Sequence, residues 1–264
     1  MAKTNLFGNK TADVPAQAGA SSAPQAMVHA SATAVEILEM GFDPAENLKD
    51  EQPEIPQIKV LPQAQMFRMP DESTASEIKG IIVETFRCNG WWDKDSPRED
   101  NRPACSSLND IVPLAGSPNQ QSDKCATCKR NVFGSDVDDK GKPGSGKACK
   151  NMRRIYILMG DHEFPLLVSL SPTSLKSAKK YLTSLSDRKR HVATVLTRIT
   201  LRKEVRGSNV FSVAEFAAVE DINDPDMLAR ILKIRKQVVS IAHSQAITGE
   251  EYAAEEAPDS KEPF

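Results

Sequence analysis

The chain has 264 residues, of which 39% are hydrophobic and 27% charged, with a formal net charge of −2. That length accommodates one or two domains, but the apolar fraction is too low for all of it to be core. No stretch approaches the roughly 18 apolar residues of a membrane span, and the N-terminal residues lack the apolar region of a secretory signal, so a soluble cytoplasmic protein with reduced cysteines is expected.

Residues 1–50, rich in Ala, Ser, Pro and Gln, are expected to be disordered, and residues 51–76 read as an extended linker packing toward the fold that follows. The β-branched run 77–88 predicts a first strand, with Trp91 and Trp92 directly after it. Residues 93–150 are polar, rich in Gly and Pro and without periodicity. Two further strands, 153–159 and 164–170, form a hairpin across Gly160-Asp161-His162-Glu163. Ser171-Pro172 then opens a helix whose Leu175, Ala178, Leu182 and Leu185 share one face. Strands 192–202 and 209–219 flank a basic turn. Three strands, a helix and two strands is the order of an OB-fold, so residues 77–222 are expected to be mainly β: a five-stranded barrel with an insertion at 93–150.

A C-terminal helix follows within 223–247. Met227, Ile231, Ile234, Val238, Ile241 and Gln245 make an a/d seam, which either packs on the barrel or joins partner helices in a homo-oligomer. Residues 248–264 form an acidic tail, expected to be disordered, ending on Pro263-Phe264. Charge is unevenly divided along the chain. Residues 140–206 hold sixteen basic side chains against four acidic ones, whereas residues 250–264 carry a net of −5. A basic body with an acidic tail predicts a polyanion-binding surface that the tail can screen.

Cys105, Cys125, Cys128 and Cys149 are spaced C-x19-C-x2-C-x20-C. The close pair chelates on one turn and two distant thiolates complete a tetrahedron, the geometry of one structural zinc ion. Iron–sulfur clusters use the same donors, but nothing nearby looks like a redox partner site, and disulfides do not suit the cytoplasm. The insertion has too few apolar residues to fold on burial alone, which is a physical reason for a metal. Cys88, on the first strand, reads as a small core residue.

Sequence-tolerant single-strand binding stacks bases on aromatics and tracks phosphates with cations. Trp91, Trp92 and Tyr156 are the candidate stacking residues, and Lys147, Lys150, Arg153, Arg154, Arg198, Arg202, Lys203 and Arg206 the candidate cations. By strand alternation Arg198 and Arg202 point outward, opposite Val195, Ile199 and Leu201. Enzyme readings lack their motifs. There is no H-x-E ahead of the cysteine pair, no G-x-x-x-x-G-K-[ST] loop and no acidic cluster for two-metal chemistry. The rivals are a zinc-bearing annealing or recombination mediator and a transcription regulator that reads duplex DNA.

Cys88-Asn89-Gly90-Trp91-Trp92, Ala104-Cys105-Ser106-Ser107, Cys125-Ala126-Thr127-Cys128, Phe133-Gly134-Ser135 and above all Gly146-Lys147-Ala148-Cys149-Lys150-Asn151-Met152-Arg153-Arg154-Ile155-Tyr156 resemble a family of phage, prophage and mobile-element single-stranded DNA-binding proteins. The placement of the cysteine-bearing loop is similar to that in the C-terminal DNA-binding domain of the large subunit of replication protein A. The resemblance covers a little over half the chain and implies a role in DNA replication or recombination in a bacterial host cell. Separately, the acidic terminus resembles the docking tail of bacterial single-stranded DNA-binding proteins, which implies that Asp259, Glu262, Pro263 and Phe264 bind replication or recombination proteins.

Overall fold

The computed structural model describes residues 54–94, 100–137, 141–160, 162, 164–206 and 209–251. The expected disorder of residues 1–50, and the tail from 252 onward, lie outside these residues. The compact unit begins at Ile55, so residues 55–76 belong to the fold. They supply three short strands, β1 (Gln57–Leu61), β2 (Met66–Arg68) and β3 (Thr74–Ala75), in place of a linker. Then come β4 (Glu77–Trp91), β5 (Cys105–Ser107), β6 (Lys150–Leu158), β7 (Leu166–Leu170), helix α1 (Leu175–Asp187), β8 (Val195–Arg206), β9 (Asn209–Asp221) and helix α2 (Pro225–Ala242).

These strands form one curled, open, mixed sheet in the order β3-β2-β1-β7-β6-β4-β8-β9, with β5 pairing on β4. All pairs are antiparallel except β1 with β7, which is parallel. β4 is the central strand, pairing with β6 on one side and β8 on the other. Its register with β6 shifts between Ile82 and Glu84, a bulge that bends the strand and tightens the curl. Gly80 lets β6 come close, because a Cβ there would stand 2.4 Å from the Leu158 carbonyl oxygen.

The concave side of the sheet holds Ile58, Phe67, Ile78, Ile82, Ile155, Ile157, Val168, Leu170 and Ile199, all buried in one cluster. α1 closes one end with Ala178, Tyr181 and Leu185; Tyr181 stacks on Phe216 at 5.3 Å between centroids and shares a 2.7 Å hydrogen bond with Thr197 Oγ1. Among the described residues no ladder joins β9 to the β1–β7 edge. Side chains bridge the gap: Ser212 Oγ donates to Pro62 O (2.7 Å), Thr173 Oγ1 to Ser212 O (3.1 Å), and Ala214 N to Ser174 Oγ (2.9 Å). A cleft of about 470 Å³ runs along this seam.

The convex side of the sheet is covered as well. α2 starts at an Asp224 cap that accepts from Asp226 N (3.0 Å), with Pro225 in the first turn. Its Ile231, Ile234, Val238 and Ala242 are buried on the chain's own sheet, and Arg235 Nε donates to Val83 O (2.9 Å). Of the two uses open to this seam, packing on the chain's own sheet is the one the structure shows. No helix among the described residues is long and apolar enough to cross a membrane.

Beyond α2 the chain lies as a strap, residues 243–251, along the convex face of β6. Met152, Arg154, Tyr156 and Leu158 alternate with the core-facing residues, and all four are completely buried. His243 stacks on Phe86 at 4.2 Å, Ile247 joins Cys88, Leu108 and Met152, and the Tyr156 hydroxyl donates to Ala242 O (3.4 Å). The anchor is a forked ion pair. Arg154 Nε donates to Glu251 Oε2 (2.9 Å) and Nη2 to Oε1 (2.6 Å), with Arg154 at 0% and Glu251 at 1% side-chain exposure. Arg154 also donates to Gln245 O (2.7 Å) and Ala246 O (2.9 Å), and Ser169 Oγ donates to Glu251 Oε2 (2.7 Å). Burial opposes the guanidinium charge, but hydrogen bonding and attraction to Glu251 outweigh it and hold Arg154 above its ordinary range.

Removing one partner would strand a charge without solvent, so Glu251→Ala is expected to destabilise the fold by about 3–5 kcal/mol in urea unfolding. Arg154→Met combined with Glu251→Leu should recover most of that loss, because the apolar pair needs no compensation.

Candidate metal centre and nucleic-acid interface

The loop between β4 and β6 is held by polar contacts where apolar ones are scarce. β5 pairs with the end of β4 and places Cys105 opposite Trp91. Asn89 Nδ2 donates to Asp110 Oδ1 (2.7 Å), and buried Asn151 Nδ2 donates to Asn89 Oδ1 (2.6 Å). Lys147 Nζ spans Asn151 Oδ1 and Asn131 Oδ1, each at 3.0 Å, and Asn131 Nδ2 caps Cys125 O (2.9 Å). A chain of hydrogen bonds thus runs from the central strand to the cysteine turn.

That turn is a 3-10 helix at Cys125–Thr127, fixed by Cys125 N donating to Ile111 O (2.9 Å) and Cys128 N to Cys125 O (3.4 Å). Cys149 N donates to Arg130 O (2.8 Å), which brings the fourth cysteine back to the turn. Cys105, Cys125, Cys128 and Cys149 line one cavity of about 20 Å³, with Asn89, Ser107 and Asn131 beside them. A space of this size suits a single ion or water. Among the described residues no set of three or more His, Cys, Asp or Glu side chains stands at metal-binding geometry. The sulfurs share a cavity but are not drawn into a tetrahedron. Burial pushes Cys149 up to about 12, the nearby sulfurs of Cys128, Cys125 and Cys105 adding to it, and burial also raises Cys105. Thiolates gathered in one cavity repel one another, and a cation among them would offset that repulsion.

The expected nucleic-acid contacts are scattered. Arg154 and Tyr156 are in the core beneath the strap, and Trp91 is 5% exposed with the Arg130 guanidinium over its ring at 4.6 Å, so none of these three meets a passing strand. Alternation along β6 puts Arg154 and Tyr156 on the face opposite Ile155 and Ile157, and that face is covered too. Trp92 is half-buried against the Cys88, Leu108 and Met152 cluster, and its Nε1 donates to Asn101 O (2.9 Å). Arg153 is half-buried and donates to Thr85 Oγ1 (3.1 Å). Lys150 pairs with Asp136 at 2.7 Å.

On β8 the outward reading of Arg198 and Arg202 agrees with their exposure, and Lys203, expected in the turn after the strand, is instead an exposed residue of β8 itself. Arg198 is 4.0 Å from Glu77, and Arg202 pairs with Glu204 and Glu215, so acids on the same surface offset part of this charge. The side chain of Arg206 and the tail residues Asp259, Glu262, Pro263 and Phe264 lie outside the described residues.

Sequence reading passed over the exposed apolar residues of the cysteine loop. Phe133 is 77% exposed, and Ile111, Val112 and Val132 also face solvent. The available signal was an aromatic three residues past Lys129-Arg130 in a segment too polar to need it for a core. Comparisons with family models, with curated proteins and with solved structures find no match to this chain.

Cys88 is fully buried, and desolvation pushes its thiol up to about 12. At pH 8 it should stay protonated and unreactive toward an alkylating reagent in folded protein, and become labelled in urea, as peptide mass spectrometry would show.

Proposed function

We propose that this chain is a sequence-tolerant single-stranded DNA-binding protein on an OB-type barrel, with a structural zinc ion in the loop between the first two barrel strands. The observation that carries the reading is the pairing order. β4 lies between β6 and β8, β6–β7 and β8–β9 are hairpins, and α1 connects β7 to β8. That order is consistent with an OB barrel, a fold used widely for oligonucleotides, and supports the reading. The seam beside β9 remains open, and β1 takes the place next to β7.

Cys105, Cys125, Cys128 and Cys149 would hold the zinc. The fit rests on four soft donors around one ion-sized cavity, in a segment otherwise held by polar contacts. Four thiolates leave no open position, so the metal supplies loop rigidity and no reaction. Phosphates would be tracked by exposed cations of the loop and of β8, and residues 259–264 would dock replication or recombination proteins of a phage or mobile element.

At one fixed salt concentration, a labelled oligo-dT is expected to bind more tightly than duplex of equal length. Its log affinity should fall with log salt by ~0.7 for each phosphate neutralised. Equal or tighter duplex binding would overturn the reading in favour of a duplex-reading regulator. Protein purified without chelator should carry about one equivalent of zinc, retained by Cys88→Ser and lost by Cys125→Ser. A content below about half an equivalent contradicts the metal assignment.

A further inference from the structure

The convex face of β6 and β7, where an OB-type barrel would receive bases, is closed. Arg154 and Tyr156 point into it and are buried under the strap. Base stacking needs an accessible ring elsewhere. Among the described residues two aromatic side chains are exposed, Phe133 at 77% and Phe164 at 48%. Phe164 follows Asp161 and Glu163 in sequence, a setting that repels phosphate. Phe133 lies beside cations: Lys129 and Arg130 are exposed four and three residues earlier, and Lys147 Nζ stands over its ring at 5.0 Å.

The ring is also held in place. Gly134, at φ +87°, makes the turn after it, and Gly134 N donates to Gly146 O (2.8 Å). Ser135 Oγ donates to Arg130 O (2.9 Å) and accepts from Ala148 N (3.0 Å), tying both strands of the loop together. The Lys147 ammonium over the ring is fixed by Asn131 and Asn151, and with it there the side chain is still 77% exposed. The nearest acid in the turn, Asp136, is engaged by Lys150.

We propose that Phe133 is a base-stacking platform for single-stranded nucleic acid, its open face taking one base while Lys129 and Arg130 meet the adjoining phosphates. The inference rests on the single-strand reading above and moves the principal contact from the barrel strands to the cysteine loop. Lys147 holds one side of the ring and adds positive charge where a phosphate must approach.

The test is fluorescence anisotropy of labelled oligo-dT with the full chain at one fixed salt concentration. Phe133→Ala is expected to weaken binding roughly five- to hundredfold. The slope of log affinity on log salt should stay unchanged, because no charge is removed. Phe133→Trp should keep wild-type affinity and add an emission component, absent from wild type, that oligo-dT quenches. Phe164→Ala should bind as wild type. If the wild-type chain binds oligo-dT and Phe133→Ala binds equally well, or Phe164→Ala falls as far, the stacking role is wrong and the single-strand reading stands. If the wild-type chain does not bind oligo-dT, the reading fails and the stacking role falls with it.

Discussion

One buried guanidinium sets the path of the C-terminal segment across the sheet. Arg154 is carried on the second-longest paired run of the sheet, fully out of solvent, and it is neutralised by Glu251, 97 positions later in the chain. A buried charge of this kind is tolerable only when its donors are satisfied, and here Nε, Nη1 and Nη2 all find oxygen. Because two of those oxygens are backbone carbonyls of the strap, satisfying the charge also fixes the path of the chain after α2. Gln57 Nε2 donates to Thr248 Oγ1 at 3.4 Å, which ties the same strap to β1. One ion pair thus joins the first strand, the central hairpin and the C-terminal segment.

The consequence for function is a reassignment of surfaces. On the proposed single-strand reading, a sheet whose convex face is covered by its own C-terminal segment would present its stacking contacts at the loops. The cysteine-bearing loop is suited to this, because hydrogen bonds from Asn89, Asn151 and Lys147 attach it rigidly to β4 and β6. Rigidity matters for a stacking surface, since an aromatic that must first be ordered gives up part of its stacking energy to lost side-chain freedom. A metal on the four cysteines would stiffen the same loop from its other side.

Much of the strand order was legible in the sequence, because 77–88, 153–159 and 164–170 are β-branched runs separated by turn residues, and α1 shows a clean apolar face. β1–β3 were not legible: Gln57–Leu61 is short, flanked by prolines, and becomes a strand only by pairing with β7. Arg154 and Tyr156 misled for a related reason. Alternation reports which residues share a face, but a strand covered on both faces gives no sign of which face is wet. Glu251 sits in an acidic stretch with the composition of a solvated tail, and no local pattern reveals a partner so far away in sequence. The cysteine spacing singled out four residues that do line one cavity, although only Cys125 and Cys128 are close in sequence. Phe133 was visible as part of the Phe133-Gly134-Ser135 motif and as an apolar residue with no periodic neighbours, but not as a contact residue, because its exposure is a property of the fold.

On the proposed reading a single strand is received by the cysteine loop while the strap stays on the sheet. Hydrogen–deuterium exchange of the full chain, with and without saturating oligo-dT, tests it most directly. Slower exchange in residues 129–135, with no change in β6, β7 or residues 243–251, is the result expected. Faster exchange in residues 243–251 together with new protection of β6 and β7 would contradict the account, because it would mean that the strap lifts and the strand binds beneath it.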